Sequence, residues 1–176
     1  IVILQGRKES YIDPDVDYIL LNHDILAYRV DEIIAMHPSG FIADECHVFK
    51  NETAARTKAA IQLSKYIIKT AETFTDDESL PIGAREGSFI CMASGTPFLN
   101  QPMELWSILK VIGVAEWIAD YAKMSLPEYT EYWRRSYGGG MVCRKGKMSS
   151  KRAFEIYFCN GHYDKYHNWW AVGASH

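Results

Sequence analysis

Four short runs of apolar residues predict β-strands in the first half of the chain. They occupy residues 1–4, 17–21, 40–43 and 88–93, and they are rich in Ile, Val, Leu and Phe without polar alternation. Continuous apolar runs of this length are typical of strands buried on both faces of a parallel sheet. We therefore expect a mostly parallel sheet whose strands are covered on both sides.

Apolar positions three or four residues apart predict two helices. The first spans residues 52–70, where Lys and Arg occupy the positions outside the apolar stripe. The second follows Pro102 and continues to Val111, with Gly113 as a stop signal. Strands that alternate with helices indicate an α/β layer architecture.

Two further segments lack a clear period. Residues 73–87 are acidic and then contain Pro and Gly, so they are predicted to form a surface loop. From residue 126 onward aromatic, glycine and basic residues crowd together. We therefore divide the chain into a main α/β part at 1–125 and an irregular aromatic and basic extension of the same lobe at 126–176.

Charge and cysteine content narrow the class of protein. The formal net charge of -3 excludes a domain that coats nucleic acid by bulk electrostatics, so any nucleic-acid contact must come from a local patch. The four cysteines are too scattered along the sequence for the disulfide framework of a small secreted domain, so we predict that they are reduced thiols. Reduced thiols indicate an intracellular protein of the cytoplasm or nucleus, which could be cellular or virus-encoded. No apolar run approaches the length of a membrane span.

The strand predicted at 40–43 ends in two adjacent carboxylates, Asp44 and Glu45. In P-loop NTPases an acidic residue at the carboxyl end of a strand helps to hold Mg²⁺ against the nucleotide phosphates, and a neighbouring Glu can polarise the attacking water. Magnesium is satisfied by one or two carboxylates plus waters, so the pair needs no dedicated cage. Taken alone the pair is weak evidence, because an ordinary acidic loop after a strand has the same sequence.

Residues at fixed spacing after this pair carry a resemblance to a known family. The matching positions are Asp44, Glu45, His47, Lys50, Asn51, Gly95, Thr96, Pro97, Asn100, Glu104 and Leu105. In this order they resemble motifs II and III of the Swi/Snf branch of superfamily-two helicases, which show a DE-x-H box, Lys-Asn, Thr-Gly-Thr-Pro, a spaced Asn and Glu-Leu. Ser94 stands where Thr is usual and keeps the hydroxyl, and Cys46 replaces a small Ala.

Weaker matches extend the resemblance on both sides. Residues 18–26 are similar to the family's strand and turn before motif II, and Arg56 and Lys58 stand on the following helix, where the family also carries basic residues. Residues 158–160 and 170–175 look like the Tyr-Cys element and the Trp- and Gly-rich segment of the annealing-helicase subgroup.

The resemblance implies a RecA-like P-loop NTPase lobe with three layers and a mostly parallel sheet, from a motor that couples Mg-ATP hydrolysis to translocation on or remodelling of duplex DNA. It implies that Asp44 acts through Mg²⁺ by way of water and that Glu45 orients or deprotonates the attacking water. His47 and the coupling motif (Ser94, Gly95 and Thr96) would transmit structural changes between the nucleotide site and the DNA-facing surface. The remaining matches, Lys50, Asn51, Asn100 and Glu104, are expected to fix local structure.

Two parts of such a motor have no counterpart in these residues. The sequence contains no Gly-x-x-x-x-Gly-Lys-Ser/Thr, and the resemblance places this phosphate loop before Ile1. The second lobe, which would supply an arginine finger worth ~10³–10⁵ in rate, has no match either. We therefore expect a lobe that is incomplete at its N-terminal edge, exposes apolar surface and has no ATPase activity by itself.

Three alternatives stay open. A basic run with neighbouring aromatic residues could track a nucleic-acid backbone or be a solvated face: Arg134, Arg135, Arg144, Lys145, Lys147, Lys151 and Arg152. Cys143, Cys159, His162 and His167 could bind zinc, although the two cysteines are further apart than in zinc fingers. The chain could also be a non-catalytic nucleic-acid- or protein-binding module derived from such a lobe.

Overall fold

A computed structural model describes residues 1–7, 11–72, 88–96, 102–137 and 139–171. The predicted loop at 73–87, Pro97 and Asn100 of the second motif, and the tail after residue 171 lie outside the described residues. The chain divides into two compact units, which are described separately. The first contains Ile1–Pro97 and Ser107–Gly113, and the second contains Phe98–Trp106 and Val114–His176.

The first unit contains two pairs of parallel strands. Strands β1 (Val2–Leu4) and β2 (Ile19–Leu21) pair with each other, as do β3 (Gly40–Ala43) and β4 (Phe89–Met92). All four lie within the predicted runs, and their parallel pairing confirms the predicted direction.

The prediction that these strands are buried on both faces is wrong for the described structure. Each strand exposes an apolar side chain, with 60% of Ile3, 60% of Leu20, 64% of Ile42 and 50% of Phe89 accessible to solvent. Ile3 and Leu20 are register partners, so their exposed side chains are neighbours across β1 and β2. A continuous apolar run indicates that a strand is apolar, but it does not indicate which of the two faces of the strand is covered.

A helix that the sequence reading missed follows β2. Helix α1 (His23–Ala35) begins at the N-cap Asn22, whose side-chain oxygen accepts a hydrogen bond of 2.9 Å from the Asp24 backbone N–H. Its buried side chains include Leu26, Val30 and Ile33, which are spaced three or four residues apart. Residues 18–26 had been interpreted as a strand and turn, and the cap at Asn22 is the signal that separates strand from helix.

The two predicted helices are present with slightly different starts. Helix α2 (Ala55–Glu72) begins later than predicted because residues 51–54 form a turn in which the Asn51 side chain accepts hydrogen bonds from the backbone N–H and hydroxyl of Thr53. Helix α3 (Glu104–Ile112) ends at Gly113, which has φ +88° and donates to the Leu109 carbonyl. A side chain at Gly113 would be strained and would meet Ile68 at 2.6 Å.

The second unit contains regular elements over much of the segment for which an irregular extension was predicted. It contains α4 (Ala115–Lys123), the antiparallel hairpin of β5 (Tyr129–Arg135) and β6 (Met141–Lys147), helix α5 (Ser150–Cys159), and a short hairpin of β7 (His162–Tyr163) and β8 (Trp169–Trp170). Helices α4 and α5 pack together around Ala122, Met148 and Ala153. The predicted division at residues 125 and 126 stays a prediction.

The loop between β7 and β8 is organised by one carboxylate. Asp164 accepts hydrogen bonds from the Trp170 indole N–H at 2.9 Å, from the backbone N–H groups of Tyr166 and Asn168, and from the Asn168 amide. The Trp170 hydrogen bond first, and then the Asn168 and Tyr166 bonds, lower the pKa of Asp164 to about 2.

The fold class is therefore mixed α/β, with short parallel sheets in the first unit and antiparallel hairpins in the second. Within the described ranges, every helix is too short or too polar to cross a lipid bilayer.

Candidate functional site

The carboxyl ends of β3 and β4 bring the two sequence motifs of the first unit together. The Ala93 N–H donates to the Ala43 carbonyl at 2.8 Å, and the Cys46 N–H donates to the Ala93 carbonyl at 2.9 Å. The parallel pairing of these two segments therefore continues beyond the ends of β3 and β4. Asp44 and Glu45 on one side then face Ser94 on the other, as expected for residues that follow neighbouring parallel strands.

Glu45 has a left-handed backbone conformation, with φ 52° and ψ 49°, and caps the 3₁₀ turn Cys46–Phe49. This conformation costs a residue other than glycine about 1–2 kcal/mol, so the surrounding contacts must maintain it. The Glu45 N–H donates to Asp44 Oδ1 at 2.9 Å, and its carbonyl accepts from the Val48 N–H at 3.1 Å. Backbone strain maintained in this way is common at functional sites.

Three polar side chains meet beside this turn. The Ser94 hydroxyl donates to Glu45 Oε2 at 3.2 Å, and His47 Nδ1 lies 3.1 Å from the same oxygen. His47 Nδ1 is also 3.4 Å from Ser94 Oγ. A proton on His47 Nδ1 and the Ser94 hydroxyl proton would both point at one Glu45 oxygen. The carboxylate is thereby oriented, while 56% of the Glu45 side chain stays open to solvent.

The coupling motif continues from Ser94 by a backbone contact. The Thr96 N–H donates to Ser94 Oγ at 3.2 Å, so the hydroxyl is an acceptor as well as a donor. Among the described residues, no neighbouring atom lies within 4 Å of the place where a Gly95 side chain would begin. The structure thus brings Glu45, His47, Ser94 and Thr96 into one hydrogen-bonded chain.

Asp44 is exposed at the strand end, and its Oδ1 accepts a hydrogen bond from the Glu45 N–H. Among the described residues no three His, Cys, Asp or Glu side chains cluster closely enough to hold a metal ion by themselves. One carboxylate at an open edge suits Mg²⁺, which keeps several waters and binds substrate phosphates, and does not suit a metal that needs an all-protein cage.

His23 was not predicted as a site residue, but it contacts the backbone of the site. His23 is the first residue of α1, and its Nε2 lies 2.7 Å from the Asp44 carbonyl oxygen. Its ring also meets the buried Phe49 edge to face, with centroids 5.5 Å apart. The signal that could have identified it is its position shortly after the end of β2, which matches the position of Asp44 directly after β3.

Arg56 fixes the loop after the carboxylates. Its Nε donates to the Val48 carbonyl at 3.0 Å, and its Nη1 forms a 2.6 Å ion pair with Asp24. The pair ties the start of α2 to the start of α1. The ion pair contributes little to stability because both side chains are largely exposed. The role of Arg56 is therefore to position the loop after the carboxylates.

The residues expected to fix local structure make the following contacts where they are described. The Lys50 N–H donates to the His47 carbonyl at 3.2 Å, and the Lys50 carbonyl accepts from the Ser107 hydroxyl at 3.0 Å. Asn51 organises the turn before α2, and Glu104 opens α3. Lys58 is exposed on α2.

Cys46 is part of the core and not a nucleophile. It is 1% exposed, and burial first, then the neighbouring Glu45 carboxylate, raise the pKa of its thiol. A thiol held neutral and away from solvent reacts slowly.

The basic residues predicted to contact nucleic acid fall into two groups within the second unit. Five of them are exposed on the β5–β6 hairpin, which we call the ribbon: Arg134, Arg135, Arg144, Lys145 and Lys147. The other two, Lys151 and Arg152, are on α5. Arg152 is engaged in packing, because its guanidinium stacks 3.4 Å from the Trp169 ring centroid and pairs with Glu155.

The four residues considered for zinc are used in other ways. Cys159 is buried, and this burial, followed by Glu155, raises its thiol pKa to about 11. His167 stacks on Trp133 with centroids 3.7 Å apart, and His162 Nδ1 lies 2.8 Å from the Asn160 carbonyl. Cys143 is exposed on β6, with its sulfur 3.7 Å from a Glu131 oxygen. The described geometry gives no support to a zinc site.

Comparison of the chain with protein-family models, with curated proteins and with solved structures found no significant match.

Proposed function

We propose that the edge formed by β3 and β4 is the hydrolytic half of a Mg-ATP site, within a RecA-like lobe of a Swi/Snf-type motor that acts on duplex DNA. The observation that carries this proposal is the convergence of Glu45, His47 and Ser94 at the carboxyl ends of two parallel strands. These residues come from two motifs that lie far apart in the sequence, and the family resemblance rests on the same residues.

The chemistry of the proposal centres on Glu45. Its carboxylate is held through one oxygen by Ser94 and His47 and remains half exposed. A carboxylate fixed in this way can accept a hydrogen bond from a water and orient it for in-line attack on a terminal phosphate. Positioning by two donors reduces the orientational freedom that the reaction must otherwise overcome.

The same contacts provide a route for coupling. Ser94 joins the Glu45 carboxylate to the backbone N–H of Thr96 through its hydroxyl. A movement of the segment that follows β4 would therefore change the orientation of Glu45. DNA bound by that segment could in this way control whether the water is positioned, which is the role proposed for Ser94, Gly95 and Thr96.

Under this proposal Asp44 would hold magnesium through a water. The chemistry that a bound Mg²⁺ supplies at such an edge is neutralisation of phosphate charge during transfer. The phosphate cradle and an arginine finger are not provided by the residues described here, and under this proposal they come from other segments of the same polypeptide. The 176 residues by themselves are therefore expected to release no phosphate.

The test is phosphate release by the full-length polypeptide, measured with and without duplex DNA for the wild type and Glu45→Gln. Stimulation by DNA together with loss of turnover in Glu45→Gln is the expected result. Glu116→Gln, an exposed substitution of the same kind on α4, is the matched control and should keep full activity.

The opposite result has a defined meaning. If the wild-type polypeptide releases no phosphate with any DNA, or if Glu45→Gln hydrolyses ATP as fast as the wild type, the hydrolytic site is refuted. In the first case a non-catalytic binding module becomes the better description of the lobe.

A further inference from the structure

The ribbon is a long and slender hairpin. Seven residue pairs join β5 and β6, from Tyr129 opposite Lys147 to Arg135 opposite Met141. At about 3.4 Å per residue it is roughly 24 Å long. Its turn is closed by hydrogen bonds from the Ser136 N–H to the Gly140 carbonyl and from the Gly139 N–H to the Ser136 carbonyl.

The five cations of the ribbon are divided between its two faces. Side chains alternate along a strand, and register partners share a face. Arg135, Lys145 and Lys147 therefore lie on one face, which we call face A, and Arg134 and Arg144 lie on the opposite face B. All five are exposed, and within the described residues no ion pair links any of them to a carboxylate. The one acidic residue of the ribbon, Glu131, is on face A.

The ribbon is anchored at its middle and free toward its tip. Trp133 stacks on His167, and its backbone N–H donates to the Tyr163 hydroxyl at 3.2 Å, so the β7–β8 hairpin holds face A at this level. Beyond Trp133 the tip carries Arg134 and Arg135 with their partners Val142 and Met141, and the fully exposed Tyr137 follows β5. At Gly139 and Gly140 a side chain would meet no described atom within 4 Å, so there is open space beside both residues within the described part of the chain.

We propose that the ribbon enters the major groove of duplex DNA and that the cations of its two faces contact the phosphates of the two flanking strands. A hairpin that lay flat on a nucleic acid would need cations on one face only. Cations on both faces are what a ribbon needs when a polyanion lies on each side of it. The major groove, about 12 Å wide, admits a two-stranded β-ribbon.

This contact would be independent of base sequence. Phosphate contacts from Lys and Arg supply affinity and position a protein on the duplex without reading its bases. The inference deepens the proposed motor function, and it rests on that function for the choice of duplex DNA as the partner. Its geometric basis lies entirely in the second unit and does not depend on the site at Glu45.

The test is binding of a short random-sequence duplex to the full-length polypeptide without nucleotide, followed by fluorescence anisotropy across about 50–200 mM salt. Two double variants each remove two cations from one face, Arg135→Gln with Lys145→Gln on face A and Arg134→Gln with Arg144→Gln on face B. Because each phosphate contact contributes about 0.9 to the slope of log K against log salt, each variant should reduce the slope by about 1.8. Lys65→Gln with Lys69→Gln on α2 is the charge-matched control and should leave the slope unchanged.

The outcomes distinguish entry into the major groove from flat binding of the ribbon and from no contact with DNA. Equal losses from both faces, with unchanged circular dichroism, support the proposal. A loss from one face only means that the ribbon lies flat, and no loss from either face means that it does not touch DNA; both results overturn groove entry. Tighter binding to a single strand of equal length than to the duplex also overturns it, because a single strand offers no groove.

With these variants, the hydrolytic site and the groove contact can each be refuted independently of the other. Glu45→Gln should lose phosphate release and keep duplex binding, whereas the ribbon variants should lose binding and keep any hydrolysis that occurs without DNA. If Glu45→Gln still hydrolyses ATP while both ribbon variants lose salt-dependent binding, the hydrolytic site is refuted and the groove contact stands.

Discussion

The Ser94 hydroxyl donates to the Glu45 carboxylate at 3.2 Å although the two residues are 49 positions apart in the sequence. The parallel pairing of β3 and β4 creates this contact by bringing two strand ends to one edge. The contact joins the two sequence motifs on which the family resemblance rests.

Removing the Ser94 hydroxyl tests the value of that contact. In Ser94→Ala the full-length polypeptide is expected to hydrolyse ATP about fivefold more slowly, because a hydrogen bond worth about 1 kcal/mol no longer orients Glu45. Ser94→Thr keeps the hydroxyl and should retain most activity. Steady-state phosphate release compares the three proteins, and equal rates for the Ala and Thr variants would show that the hydroxyl has no orienting role.

The left-handed backbone at Glu45 predicts an unusual order of stabilities. Asn tolerates this conformation better than most residues, so Glu45→Asn should be more stable than Glu45→Gln by about 0.5–1 kcal/mol, part of the 1–2 kcal/mol cost of the conformation. Urea denaturation of both variants measures the difference. At the exposed Lys65, in the middle of α2, the order should reverse, because Gln forms helices better than Asn in a helix interior.

The Asp164 carboxylate predicts a pH dependence of stability. Its folded pKa of about 2 lies below the unfolded value of about 3.9, so its contribution to stability is complete above about pH 5. The contribution is then lost as the pH falls through the interval between the two values. Asp164→Asn should destabilise the protein at neutral pH, and the difference in unfolding midpoint from wild type should shrink toward pH 2. Asp120→Asn, at an exposed surface ion pair, should show a small and nearly constant difference.

The exposed thiol of Cys143 predicts a change in labelling rate. Desolvation first, and then the nearby Glu131 carboxylate, raise the pKa of Cys143, so less thiolate is present at a given pH. Glu131→Gln should therefore increase the rate at which a disulfide reagent modifies Cys143. Cys91, which is also exposed, should react at an unchanged rate and serves as the internal control. A Cys143 rate that stays constant would mean that the carboxylate has no influence on the thiol.

Much of the first unit could be predicted because its signals are local. The four strands, helices α2 and α3 and the stop at Gly113 follow from apolar runs, a helical period and one glycine. The resemblance assigned Asp44, Glu45 and Ser94 to related roles, and the parallel pairing of β3 and β4 brings their strand ends to one edge.

The features that were missed depend on information that is not local. The ribbon strands have cations on both faces and so lack the apolar alternation that indicates a strand, and their pairing is visible only through register. The left-handed conformation of Glu45 and the contact of His23 with the Asp44 carbonyl arise from packing around the turn. The burial of the parallel strands on a single face could not be deduced, because apolar runs do not specify what covers them.

The exposed apolar side chains of the parallel strands affect how folding of these residues should be assayed. Ile3, Leu20, Ile42 and Phe89 offer a fully folded protein the kind of surface that hydrophobic dyes bind. Dye fluorescence is commonly taken as the mark of a molten globule. For this chain a bright dye signal would be expected in the native state, so loss of order must be judged from the near-ultraviolet dichroism of its aromatic residues.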